Sequence, residues 1–75
     1  MLKIKAGQIY ETTSGLRYII TCVGIDNTYL LYNTGYCMEC SLSDMNNNYS
    51  DKLIAEHPTW QQAVNSEEFN NGECL

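Results

Sequence analysis

Cys37-Met38-Glu39-Cys40 places two thiols three positions apart, a spacing at which both can reach a zinc ion when they sit on a tight knuckle turn. The residues around them alternate as a strand does. On pleated backbone, positions three apart point to opposite faces, so the expectation is an exposed Cys37 and a buried Cys40. Structural zinc held by Cys37 and Cys40 stays open as an alternative, its further ligands to come from Cys22, Cys74 or His57. Thioredoxin-type redox chemistry needs a helix N-terminus to lower the thiol pKa, and the pattern predicts no helix at this point.

Asp44, Asn46, Asn48 and Ser50 alternate oxygen-bearing side chains in the manner of a calcium loop. An EF-hand loop needs Gly at its sixth position and a bidentate acid at its twelfth, where this chain has Tyr49 and Ala55, so an ordinary polar loop is expected. His57 is the only histidine, and any Cys/His or Ser/His/Asp arrangement would have to be built around it. It stands before Pro58, where a surface position is expected. Glu67 and Glu68 are adjacent, and adjacent helical residues diverge, so they form a solvated face and not a converging acid/base pair. The glycines are isolated turn or edge residues, not a phosphate-binding loop. No catalytic activity and no cofactor are expected.

Six tyrosines in 75 residues are the feature most suggestive of recognition, because tyrosine gives broad, fairly rigid contact area with a polar tip. Packing accounts for some of them. Tyr10 and Tyr49, at strand and loop edges, are expected to be exposed, and with Glu67 and Glu68 they form the candidate binding residues.

Turn signals at Ser14-Gly15, Asp26-Asn27, Asn33-Thr34-Gly35 and Asn46-Asn47-Asn48 recur every eight to twelve residues. The segments between them are rich in Tyr, Ile, Val and Thr, which predicts a meander of short strands. Strands are expected at 8–12, 16–25, 28–32, 36–41 and 52–56. In the fourth, Cys37, Glu39 and Ser41 face water while Tyr36, Met38, Cys40 and Leu42 face inward. In the second, an outward Arg17 puts Leu16, Tyr18, Ile20 and Cys22 inside. Ile19 and Val23 are apolar as well, so that strand is expected to bend and be covered on both faces. Ser41-Leu42-Ser43-Asp44 predicts a single helical turn before the last strand. Thr59-Trp60-Gln61-Gln62 matches a capping box and opens a C-terminal helix over 59–69, with Trp60, Ala63 and Val64 on one face. A break is expected near Asn65-Ser66, because a continuous helix would splay Trp60 and Phe69 apart. Residues 70–75 are expected to fray. The fold class is therefore mostly β: a five-stranded SH3-like barrel, about residues 5–56, with a short C-terminal α-helix, in a single domain 1–75.

Nine acidic against four basic residues leave a net charge of -5. Affinity for duplex nucleic acid comes mainly from basic side chains displacing counterions, so duplex nucleic acid is an unsuitable partner and a basic protein surface a suitable one. The opening residues lack the pattern of a signal peptide, and no apolar run approaches the roughly 20 residues that span a bilayer. A cytoplasmic protein with reduced thiols and no membrane association is the expectation.

Gly7-Gln8-Ile9-Tyr10, the turn at Ser14-Gly15 and Tyr18-Ile19-Ile20 resemble the opening of small SH3-like barrel proteins found in bacteriophages and prophages of low-GC bacteria. The resemblance covers roughly residues 5–56 and carries over no functional residue. The first loop, Glu11-Thr12-Thr13-Ser14, lacks the aromatic and acidic signature of peptide-binding SH3 domains, so Pro-rich ligands are not implied. What the resemblance implies is an accessory protein that acts by binding, such as an inhibitor of a host enzyme or defence system. The expected function is thus a small acidic protein-binding module acting on a larger, basic host protein as inhibitor or adaptor. A zinc mini-domain, or a barrel that binds single-stranded nucleic acid by tyrosine stacking, are the alternatives.

Overall fold

The computed structural model describes residues 4–48 and 50–70. Five strands, β1 (Gln8–Glu11), β2 (Arg17–Val23), β3 (Asn27–Tyr32), β4 (Cys37–Ser41) and β5 (Lys52–Glu56), form one antiparallel sheet in the order β4-β3-β2-β1-β5. Three short helices accompany them: α1 (Leu42–Asn46) between β4 and β5, then α2 (Trp60–Val64) and α3 (Glu67–Asn70). In that order β4 and β5 each have one paired neighbour, so the sheet is open and the closure expected of a barrel is not seen. No helix among the described residues is long and apolar enough to cross a membrane.

Local chemistry sets the turns. The β1-β2 turn closes with Thr12 N–H donating to the Leu16 carbonyl at 2.8 Å and Gly15 N–H to the Thr12 carbonyl at 3.0 Å. In the β3-β4 turn Gly35 adopts φ +92°, a left-handed conformation that glycine reaches without strain. Ser41 caps α1, its hydroxyl accepting from Asp44 N–H at 3.0 Å. Thr59 does the same for α2 through Gln62 N–H at 3.2 Å, as the capping box predicts. The chain then breaks at Asn65 and resumes in α3.

Both faces of the sheet carry a core. On the inner face Tyr10, Tyr18, Ile20, Leu30 and Met45 are buried, with Met38, Cys40 and Leu53 packed against them. A row of rings runs across it: Tyr10 and Tyr18 stack at 5.5 Å, and Tyr18 and Tyr32 meet at 5.1 Å. The outer face buries Ile9, Ile19, Ala63 and Phe69, because α2 and α3 pack across β1 and β2. Coverage of β2 on both faces is thereby met.

Several expectations need correction. Tyr10 is buried, 6% exposed, because β1 lies between β2 and β5 instead of at an edge. Cys22 is exposed. The register of β2 against β3 shifts between Ile20 and Cys22, both Ile20↔Leu30 and Cys22↔Tyr29 being partners, so the extra residue Thr21 inverts the alternation as a bulge does. Tyr36 stands 63% exposed beyond the start of β4. Asn70, expected to fray, belongs to α3, and its side-chain amide donates to the carbonyls of Val64 and Ser66 at 3.0 and 2.8 Å. The rest of the expected frayed tail, 71–75, lies outside the described residues, as does Tyr49.

Candidate functional site: an apolar groove on the outer sheet face

The C-terminal helices cover the β1 and β2 side of the outer face and stop short of β4. What they leave open is a groove of about 540 Å³, floored by β3 and β4 and walled by Trp60 of α2. Tyr29 and Trp60, 43% and 37% exposed, form its aromatic part, and Leu31, Cys22 and Cys37 add apolar surface. Strand alternation explains why these side chains converge. Tyr29 is paired with Glu39 and Leu31 with Cys37, so all four share the outer face. The bulge at Thr21 brings Cys22 to the same side opposite Tyr29; the Thr21 hydroxyl, donating to the Tyr29 carbonyl at 3.1 Å, fixes it there.

Glu39 is the one ionisable carboxylate in the lining, and Lys and Arg do not contribute to it. The Asn27 side-chain amide donates to its Oε2, which orients the carboxylate across the β3-β4 pair. The site is therefore apolar, aromatic and single-signed in charge. It can hold an apolar side chain and a cation together.

Of the residues singled out by sequence, Cys37 and Cys40 diverge. Cys37 is exposed on the groove side, while Cys40 packs on the inner cluster, where burial first and then the Asp44 charge push its thiol pKa up. Tyr10 points into the inner core, its hydroxyl donating to Gln8 Oε1 at 3.0 Å, and Gln8 in turn donates to Glu56 at 3.1 Å. Glu67 and Glu68 are exposed on α3, on the face where Phe69 meets β1 and β2 residues. Glu68 is not simply solvated: its carboxylate lies 3.2 Å from His57 Nε2, and its carbonyl accepts from Arg17. Arg17 is also held by Glu11 at 3.1 Å. Tyr10 and the α3 acids thus sit on different faces and do not form one site.

The loop with calcium-like alternation uses its oxygens internally. Asn48 Oδ1 accepts from Ser50 N–H at 3.2 Å and from the Ser50 hydroxyl at 2.9 Å. Asp51 accepts from Tyr18 at 2.7 Å and from the Asn48 amide at 2.8 Å. Asp44 belongs to α1.

Sequence reasoning missed Tyr29, Leu31 and Trp60 as site residues. Tyr29 and Leu31 are an i, i+2 pair in a strand whose other face carries buried Thr28 and Leu30, a two-faced pattern that was legible. That the helices leave this half of the face open was not. No family model, curated protein or solved structure matches the chain.

Proposed function

We propose that the chain is a small, acidic, non-enzymatic protein-binding module that engages a larger, basic protein through the groove between β3, β4 and α2. The observation that carries this reading is the exposed Tyr29-Trp60 pair in an apolar groove whose only charge is Glu39. Aromatic anchors in partly desolvated pockets supply most of the energy in protein interfaces, and a net charge of -5 favours approach of a cationic surface.

The order β4-β3-β2-β1-β5, with a helical turn before the last strand, supports reading the fold as a variant of the SH3-like barrel. The sequence resemblance supports a phage or prophage origin, with the cytoplasmic role of an inhibitor or adaptor acting on a host protein.

The test is affinity capture under reducing conditions from a low-GC bacterial lysate, at low and high salt. Wild type is compared with a Tyr29→Ala/Trp60→Ala variant whose fold is checked by circular dichroism. The expected result is one stoichiometric protein, retained at low salt, weakened at high salt and lost from the variant. Equal capture by the folded variant would overturn the groove as the binding surface.

A further inference from the structure

The groove ends at a sheet edge, and the register defines which backbone groups lie free there. Tyr32 N–H donates to the Tyr36 carbonyl, and Leu42 N–H donates to the Asp26 carbonyl, both at 2.8 Å. Between them lie the partners Leu30↔Met38 and Thr28↔Cys40. Antiparallel ladders alternate hydrogen-bonded and non-hydrogen-bonded pairs, so Met38 and Cys40 point their amides and carbonyls at β3. The amides and carbonyls of Cys37 and Glu39, and the amide of Ser41, point the other way, along the edge where β4 has no neighbouring strand among the described residues; the Ser41 carbonyl, at the N-cap, belongs to the first turn of α1. All three residues are exposed. Cys37 and Glu39 also send their side chains into the groove. Free backbone and groove lining are thus supplied by the same two residues.

We infer that β4 takes an extended cationic segment of a partner protein as a sixth strand, whose alternate side chains fill the groove. The inference rests on the protein-binding reading and names the mode and the partner chemistry. In strand addition the main-chain bonds supply affinity and pockets for alternate side chains supply specificity. An added strand presents every second side chain on the groove face, roughly 7 Å apart. One apolar side chain then meets Tyr29 and Trp60, and a Lys or Arg beside it reaches Glu39. Charge decides against two other occupants. A second copy in the two-fold register centred on this edge sets Glu39 against Glu39, and like charges directly opposite are destabilising. A nucleic-acid strand meets a groove whose lining includes no Lys or Arg.

The test uses seven-residue peptides whose every second position holds lysine, phenylalanine and lysine in turn, with threonine at the positions between, so that both side-chain types share one face of the strand; they are added to the whole chain under reducing conditions. Trp60, the only tryptophan, reports filling of the groove by its emission, and amide hydrogen exchange reports the edge. The expected result is a saturable blue shift, with exchange at Cys37, Glu39 and Ser41 slowed at least tenfold. N-methylation of alternate peptide amides should weaken binding at least tenfold, and Glu39→Lys should reverse the preference toward the same peptide with glutamate in place of lysine. A Trp60 response without protection of those three amides would overturn strand addition while leaving the groove as a binding site. No response in either readout would overturn the inference, and the capture experiment judges the broader reading separately.

Discussion

Gly7 has φ +96°, and a Cβ placed there would lie 2.2 Å from the His57 carbonyl oxygen. The same residue donates to the Ile20 carbonyl at 2.8 Å and accepts from His57 N–H at 3.0 Å, so it pins the entry of β1 to its neighbours. Gly35 has a similar φ, +92°, but nothing within 4 Å of its would-be Cβ. Gly35→Ala should therefore show only the left-handed penalty, about 1–2 kcal/mol, and Gly7→Ala considerably more, because backbone must also move. Denaturant midpoints check this, and equal losses would refute the close approach. Tyr18 is the other telling residue. Burial first, then the hydrogen bond to Asp51, push its pKa well above the ordinary phenol value of 10.0. Tyr10 and Tyr32 are raised too, chiefly by burial. A raised folded pKa stabilises the neutral phenol, so this stability is fully present below about pH 10 and is lost as pH rises beyond it. Alkaline unfolding should coincide with the late appearance of phenolate absorbance. Tyr18→Phe should lower stability by about 1–3 kcal/mol through loss of the Asp51 bond.

At the scale of elements, the strands were legible to within a residue or two, because period-2 alternation and Gly/Asn turns are local signals. The two caps, Ser41 and Thr59, and the break at Asn65 were legible for the same reason. Side-chain direction failed where a non-local event intervened. A bulge at Thr21, visible only once β3 is paired, turned Cys22 outward. Pairing of β1 with β5, more than forty positions away, buried Tyr10. The candidate site was barely legible, since it depends on where α2 and α3 stop. Their own roles separate cleanly: Phe69 is buried in the outer cluster while Trp60 is 37% exposed and borders the groove. Phe69→Ala should cost about 3–5 kcal/mol, as much as a domain of this size holds in total. Trp60→Ala should cost under about 1 kcal/mol, within reach of a surface substitution. Thermal melts of the two variants decide this; an unfolded Trp60→Ala would make Trp60 a core residue.

For the molecule as a whole, small size and charge set the terms. Two thin cores on either side of one sheet use most of the large apolar residues, yet Tyr29 and Trp60 remain at the surface beside an open strand edge. With a net charge of -5, long-range attraction to a cationic partner is screened beyond about 10 Å at 0.1 M salt. Association rate should therefore fall with ionic strength more than dissociation rises, which surface-binding kinetics at two salt concentrations can read. The central claim is the location of the binding surface. Hydrogen-exchange footprinting of the chain in complex with its captured partner tests it most directly. Protection should concentrate in β4, at Tyr29 of β3 and around Trp60. A footprint centred on α3 with Glu67 and Glu68, and none in the groove, would contradict it.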